Sequence, residues 1–303
     1  MDKPEKAESR TDWAEKYVER LVSMPFISEF VFRSPRRDKN GLEVADFLIS
    51  QGEINIVISQ KCQDDPTSRT LEKNELWVLK ETKHGLSQLL GGLKKFKSEP
   101  FWCNHPRRGK VNFSMPLNKI DEAIVLVETR HPVDLGSQSE EFPLEDKGVP
   151  ITYLSVNDFL NLVTELRTVP ELLRYLRERR ALPENDLRLI GDDGNLFPLY
   201  ILNDRHFDGC GSRVIAKQII EKEEKRIVAA VQFKKANDIY CMRLEHVAHE
   251  LSTRNPKIPK SLEVHFEPIE ERTGYLKMLL ALADMELPDR ILLGRHGDSE
   301  AVT

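Results

Sequence analysis

Residues 41–50 read GLEVADFLIS, and residues 54–61 read INIVISQK. Each stretch holds a run of mostly apolar residues, at 44–50 and 54–60, and Gly52 lies between the two runs. Short apolar runs joined through a glycine are typical of a β-hairpin. The sequence therefore predicts two antiparallel strands joined by a turn centred on Gly52 and Glu53.

This turn sets the register of the predicted hairpin, because it places Asp46 opposite Ser59 and Val44 opposite Lys61. Side chains alternate between the two faces of a strand, so Asp46, Ser59 and Lys61 share one face. Apolar neighbours indicate that both faces are covered: Phe47, Ile49, Ile56 and Ile58. A charged group in such a position is costly unless it has a partner or a metal ion.

An acid and a lysine on one covered face suit the hydrolysis of phosphodiester bonds. Carboxylates hold a hard divalent cation, and a cationic side chain orients water or stabilises the developing charge. We expect Asp46 to be a metal ligand and Lys61 to lie beside the attacking water. Glu29 and Glu43 are the candidates to add negative charge to the same metal site. Mg²⁺ or Mn²⁺ is the implied cofactor.

The order of these residues resembles the PD-(D/E)XK nuclease superfamily. Glu29 comes first, Asp46 follows in GLEVADFLIS, Lys61 ends INIVISQK, and a predicted helix containing Gln88 comes next. More narrowly, G-x-E-x-x-D-x-L-I followed by I-V-I-S-x-K is similar to divergent bacterial nuclease-like proteins, many of them linked to anti-phage defence. The similarity spans about residues 12–98 and continues weakly to about 182.

The resemblance implies an α/β fold with a restriction-endonuclease-like N-terminal core, in which helices flank a mixed sheet. It also implies a catalytic set of Asp46, Lys61, Glu29, Ser59 and Gln88, with Gln88 helping to hold metal or phosphate. The sequence departs from the family at Ser59, where the family usually has Asp or Glu.

Three functions follow as hypotheses. The leading one is a metal-dependent endonuclease that cleaves DNA, with RNA as the less favoured alternative, in anti-phage defence. The second is a catalytically inactive subunit that keeps the nuclease fold and binds nucleic acid or scaffolds a complex. The third, compatible with either, is an effector whose C-terminal domain senses a partner and gates the N-terminal domain. The expected partners are nucleic acid, with DNA favoured, and a second copy of the chain or a defence-system protein.

Two groups of basic residues are candidates for binding the nucleic-acid backbone. Arg33, Arg36 and Arg37 fall in a stretch that the sequence predicts as a basic loop. Lys94, Lys95 and Lys97 crowd the end of the predicted helix that contains Gln88. The competing interpretation of both groups is a solvated surface.

The rest of the chain predicts two domains, a nuclease-like one at 12–182 and an α+β accessory one at 184–303. In the first, we expect a helix at 12–24, a buried central strand at 123–128 and two helices capped by Ser155 and Thr168. In the second, we expect a strand at 197–202, helices at 214–230, 240–251 and 275–284, and strands at 262–267 and 290–293.

The composition limits the class of protein. With 303 residues, 40% hydrophobic and 31% charged, the chain is long enough for two ordinary domains. It shows neither an apolar run of the ~18–20 residues that a membrane span needs nor a signal peptide, so we expect a cytoplasmic protein without a membrane partner. Its four cysteines lie far apart, which favours buried thiols over disulfides or zinc.

Overall fold

The structure is a computed structural model, and it describes residues 30–63, 70–105, 109–203, 205–207, 222–229 and 231–232. Glu29 and several predicted elements lie outside the described residues: the helix at 12–24 and the elements at 240–251, 262–267, 275–284 and 290–293. Among the described residues, no helix has both the length and the apolar character needed to cross a membrane.

The protein has an α/β fold built on a mixed eight-stranded sheet with the strand order β5-β4-β1-β2-β3-β6-β9-β8. The strands are β1 (Val31–Arg37), β2 (Phe47–Gln51), β3 (Ile54–Lys61), β4 (Phe101–His105), β5 (Gly109–Phe113), β6 (Glu122–Val127), β7 (Val133–Asp134), β8 (Glu145–Asp146), β9 (Val149–Ser155) and β10 (Leu189–Ile190). The three neighbours β3, β6 and β9 are parallel, and the remaining pairs in this sheet are antiparallel. The short strands β7 and β10 pair separately.

Five helices accompany the sheet in the described residues up to 203: α1 (Leu71–Phe96), α2 (Val156–Leu166), α3 (Val169–Arg179), α4 (Glu184–Leu187) and α5 (Phe197–Leu202). The longest of these helices, α1, begins at Leu71. The Thr70 hydroxyl caps this helix by accepting a hydrogen bond from the Lys73 N–H at 3.4 Å.

The predicted hairpin is confirmed. β2 and β3 are antiparallel, and the pairs run from Phe47 opposite Ile58 to Gln51 opposite Ile54. Continuing that register by one residue places Asp46 opposite Ser59, as the sequence predicts. Gly52 has a positive φ of 58° in the turn, a conformation that glycine adopts at no steric cost.

The buried central strand is also confirmed, since every residue of β6 is buried between β3 and β9. One face of the sheet packs against α1 and is called the α1 face. Its apolar core joins strand residues such as Leu48, Val57 and Val125 to Leu89 and Phe96 of the helix.

The opposite face lies against the region of α2 and α3. Ser155 and Thr168 cap these two helices, as predicted, by accepting hydrogen bonds from the backbone N–H groups of Asp158 and Glu171. Glu122 of β6 is fully buried on this face, where it accepts a hydrogen bond from Thr152 and pairs with Arg180 just after α3.

Residues 184–202 pack within the same compact unit as the sheet, which extends to Ile227. β10 pairs with β7, and Arg179 of α3 makes a buried ion pair with Asp193. The predicted strand at 197–202 is wrong, because these residues form α5. Proline in the first helical turn is already held at a helical φ, and a six-residue apolar run fits either a strand or a buried helix.

Candidate active site

Asp46, Ser59 and Lys61 lie at the open end of the β2–β3 hairpin, on the α1 face. The Asp46 N–H donates to the Ile58 carbonyl at 3.2 Å, which continues the β2–β3 pairing beyond Phe47. The Asp46 carboxylate accepts a hydrogen bond from the Gln60 backbone N–H, with 2.7 Å between N and Oδ2. The strand pairing therefore brings the three predicted residues together, as the alternation of side chains requires.

Gln88 joins this group from α1. The Lys61 ammonium donates to the Gln88 carbonyl oxygen, with 2.5 Å between Nζ and Oε1. A side chain on Gly85, one turn earlier, would place its Cβ 3.5 Å from Cγ of Lys61 and 3.1 Å from Cγ1 of Val125. The glycine thus lets the helix lie close to β6 at Val125, and the lysine stem runs along this part of the helix to reach Gln88.

The pKa of the Asp46 carboxyl is raised above its ordinary value of 3.8. The main cause is the loss of water around this side chain, because burial disfavours the charged form. The hydrogen bond from Gln60, the positive charge of Lys61 and the nearby Ser59 hydroxyl act in the opposite direction but are weaker. Asp46 is a carboxylate whose charge the protein by itself only partly compensates.

Ser59 is 1% exposed, and its hydroxyl makes no hydrogen bond of normal geometry within the described part of the chain. The hydroxyl lies near Asp46 closely enough to favour the charged form of that carboxyl. Ser59 therefore places a second, neutral oxygen beside the Asp46 carboxylate.

Glu43 lies just before β2 and interacts electrostatically with Asp46. Its carboxylate is 3.1 Å from Nη2 of Arg36, so it is already paired. Burial, followed by the negative charge of Asp46, raises the pKa of Glu43, and Arg36 lowers it. Glu43 contributes negative charge near the site while held by Arg36. Glu29, the other predicted metal ligand, is outside the described residues.

The residues present fit Mg²⁺ or Mn²⁺ in kind, because both ions prefer oxygen ligands. Asp46 offers a carboxylate and Ser59 an unpartnered hydroxyl beside it. The number of charged ligands is small, however. Among the described residues, no cluster of three or more Asp, Glu, His or Cys side chains is placed to hold a metal ion.

The predicted nucleic-acid-binding arginines lie on a strand, which corrects the expected basic loop. Arg33, Arg36 and Arg37 belong to β1, where Ser34 has a φ of +42° and the pairing to β4 shifts between Arg33 and Arg36. This irregularity hides the strand pattern in the sequence. Arg37 faces Glu99 with nitrogen–oxygen distances of 2.9 and 3.0 Å, so its charge is already compensated.

The predicted lysine group lies at the end of α1, as expected. Lys94 and Lys97 are exposed, and Lys95 is 3.9 Å from Glu99. Lysines in the last turn of a helix also stabilise its negative end. They are available to a polyanion, and they have a structural role as well.

Sequence reasoning missed Gly85 and Gly92, two helical positions that allow the close approach of α1 to the hairpin. A side chain on Gly92 would place its Cβ 2.2 Å from the carbonyl oxygen of Val44, two residues before Asp46. A glycine inside an amphipathic helix costs ~1 kcal/mol relative to alanine, so its presence indicates a close contact that excludes a larger side chain. This was the signal available in the sequence.

Comparisons of the chain with protein-family models, with curated proteins and with solved structures found no match. The resemblance to the PD-(D/E)XK nucleases therefore stays a prediction, carried by the motif residues and by the way the fold groups them.

Proposed function

We propose that the protein is a metal-dependent endonuclease with a restriction-endonuclease-like core of the PD-(D/E)XK type, acting on DNA, with RNA as the alternative substrate. One observation carries the proposal. Asp46, which directly precedes β2, and Lys61, at the end of β3, share one face of a mixed sheet, and Gln88 of the covering helix contacts the lysine. Asp46 is a carboxylate that lacks full compensation of its charge, and Lys61 is a cation held in place by Gln88. Together they suit phosphodiester hydrolysis.

In this proposal, Asp46 and the Ser59 hydroxyl hold Mg²⁺ or Mn²⁺, and Glu43 and Glu29 add negative charge. The bound ion supplies Lewis-acid activation and stabilises charge on the phosphate. Lys61 orients the attacking water and stabilises the charge that develops beside it. Gln88 directs the lysine, because its side-chain oxygen accepts the ammonium hydrogen bond. The Gln60 N–H fixes one oxygen of Asp46 and leaves the other for the ion.

A second function is favoured by one observation, the serine at position 59. It leaves Asp46 without a second carboxylate at the facing position of the hairpin. Hard cations are held largely by the charge and number of oxygen ligands, so a site of this kind binds metal weakly. The alternative is a catalytically inactive subunit with the nuclease fold that binds nucleic acid or scaffolds a complex.

An assay with purified protein separates the two functions. The chain is incubated with plasmid DNA, single-stranded DNA and RNA in Mg²⁺ or Mn²⁺, beside the variants Asp46→Ala and Lys61→Ala. Lys80→Ala serves as the matched control, since the Lys80 side chain is 80% exposed elsewhere on α1. The endonuclease proposal expects cleavage to fall by about 100-fold or more in the two site variants and to stay unchanged in the control. Equal activity in all four proteins overturns the site assignment, and binding without turnover in either metal supports the inactive subunit.

We also propose that the protein acts in the cytoplasm in defence against phages. It does so together with a second copy of the chain or with a partner protein. The measurement is the plating efficiency of phages on bacteria that express the wild-type chain or Asp46→Ala. Protection by the wild type alone supports catalytic defence. Equal plating on both strains and on cells without the protein contradicts it.

A further inference from the structure

One three-stranded region of the sheet carries polar side chains on its outer face. β1, β4 and β5 are neighbours, and Phe101 and Cys103 of β4 belong to the buried core on the α1 face. Alternation therefore turns Trp102 and Asn104 to the opposite face. Asn104 is exposed there, and Trp102 is half-buried.

The strand register assembles two rows across this face. In one row, Trp102 lies between its cross-strand partners Arg36 and Asn112. In the other, Asn104 lies between Arg33 and Lys110. Neighbouring strands are ~4.8 Å apart, so each row crosses about 10 Å. We call this set the Trp102 surface: Arg33, Arg36, Trp102, Asn104, Lys110 and Asn112.

Two cations lie against the indole ring of Trp102. Nζ of Lys110 is 4.5 Å from a ring centroid, and the guanidinium carbon of Arg36 is 5.9 Å away. Both distances fall within the range of cation–π attraction. The aromatic ring and the positive charges therefore form one continuous patch, in which the ring holds the long basic side chains near the surface.

We propose that the Trp102 surface binds a single-stranded nucleic acid. This inference deepens the proposed nuclease function and rests on it, because it names how the substrate strand is held. Lysine and arginine bind phosphates, and asparagine side chains bind exposed base edges. The indole ring stacks on an unpaired base when the flexible Lys110 side chain moves from the ring to a phosphate. Bases stacked within a duplex do not offer their faces to a protein ring, so the aromatic centre of the patch favours a single strand.

The position of the surface connects it to the candidate active site. The Ser34 N–H, next to Arg33 in β1, donates to the Asp46 carbonyl at 2.9 Å. Glu43, which pairs with Arg36, also interacts electrostatically with Asp46. The side chains of the Trp102 surface and the Asp46 carboxylate lie on opposite faces of the sheet, so a strand held by Arg33 and Arg36 reaches the predicted metal ligand around the open end of the hairpin, past Glu43.

The test measures binding in the absence of divalent metal, so that cleavage does not enter. Labelled oligonucleotides of about 20 nucleotides, longer than the ~4–16 that a small binding fold covers, are titrated as single-stranded DNA, single-stranded RNA and duplex DNA. The proteins are the wild type, Trp102→Ala and Lys110→Glu. Lys80→Glu is the matched control, because it makes the same charge change at an exposed position on α1.

We expect Trp102→Ala and Lys110→Glu each to weaken single-strand binding by about tenfold or more, while Lys80→Glu stays within about twofold of the wild type. Lys110→Gln, tested over a range of salt, lowers the slope of log affinity against log salt by about 0.7. Single strands also quench part of the tryptophan emission, and Trp102→Phe removes that part while the other two tryptophans remain.

Lys110→Glu keeps the test decisive even where Trp102→Ala disturbs the fold, because Lys110 is exposed. Unchanged affinity in Lys110→Glu together with unchanged quenching in Trp102→Phe overturns the proposal, as does equal or tighter binding of duplex DNA. Comparison of the DNA and RNA strands identifies which polynucleotide the surface prefers. If these variants lose binding and the wild type does not cleave, the surface is still a binding site and the nuclease activity is rejected.

Discussion

Nζ of Lys61 and Oε1 of Gln88 lie 2.5 Å apart, although the two residues are 27 positions apart in the chain. The contact joins β3 to α1 directly above the hairpin that carries Asp46. Gly85 lets α1 lie close to the sheet here, since a Cβ on it would lie 3.1 Å from Cγ1 of Val125 and in ordinary contact with the lysine stem. Gln88 therefore acts as a positioning residue for Lys61.

Gln88→Ala is expected to lower the rate of cleavage by about tenfold, because the lysine loses the acceptor that directs it. The exposed position of Gln88 predicts a change of less than about 0.5 kcal/mol in the free energy of unfolding. The measurement is kcat and KM on plasmid DNA, with Ser87→Ala as an exposed control on the same helix. A fall in kcat with KM unchanged supports positioning, and equal kcat in both variants contradicts it.

The raised pKa of Asp46 predicts how stability depends on pH. The folded protein binds the Asp46 proton more tightly than the unfolded chain does. The contribution of Asp46 to the free energy of unfolding is therefore most favourable at low pH. It becomes unfavourable as pH rises from 3.8 through the raised folded-state value. Asp46→Asn is therefore expected to be more stable than the wild type at neutral pH, with the difference shrinking toward acid pH.

Urea unfolding of both proteins across this pH range measures the effect, and adding Mg²⁺ provides an internal control. The ion is expected to stabilise the wild type and to leave Asp46→Asn unchanged, because binding to the folded state alone adds stability. A difference between the two proteins that is constant with pH contradicts the assigned titration.

Ser59→Glu is expected to tighten the binding of divalent metal and to shift the optimum for cleavage to lower metal concentration. The substitution adds a negative charge beside Asp46, where the serine hydroxyl is buried and unpartnered within the described residues. Ser59→Asp is the smaller companion, since adding atoms to a packed site costs about 1–3 kcal/mol. Calorimetric titration with Mg²⁺ and Mn²⁺ measures the affinity. Unchanged affinity in both folded variants removes position 59 from the metal site.

Two adjacent glycines in α1 are expected to respond to alanine in opposite directions. Gly92→Ala brings a Cβ within 2.2 Å of the Val44 carbonyl oxygen, so the helix must move away from the hairpin. We expect a loss of about 1–3 kcal/mol in the free energy of unfolding. Gly91 has no atom within 4 Å of the corresponding position, so Gly91→Ala is expected to gain about 0.5–1 kcal/mol.

Thermal and urea unfolding of the two variants test this close approach. Gly92→Ala should also bind metal more weakly. The added Cβ pushes against the Val44 carbonyl, and Val44 lies only two residues before Asp46. Equal stability of Gly91→Ala and Gly92→Ala would show that α1 does not approach the hairpin as closely as the structure has it.

Local features of the fold could be read from the sequence because their causes are local. The register of β2 and β3 follows from a turn at Gly52 and from the alternation of side chains, so Asp46, Ser59 and Lys61 could be placed on one face in advance. The caps at Ser155 and Thr168 need only a hydroxyl and a backbone N–H three residues later.

Features that depend on packing between distant segments could not be read in this way. The apolar run 197–202 suits a strand or a helix equally, and its surroundings made it α5. Arg36 and Arg37 are neighbours in sequence, yet the former meets Trp102 and Glu43 while the latter meets Glu99 across the sheet.

The sequence by itself therefore determined which residues of the hairpin share a face, since that depends on a two-residue period and one turn. Only the tertiary structure decided that Gln88 holds Lys61, that the Ser59 hydroxyl is unpartnered within the described residues, and that Trp102 gathers Arg36 and Lys110. These contacts join residues far apart in the chain. They form only where close packing, such as that of α1 at Gly85 and Gly92, brings separate elements together.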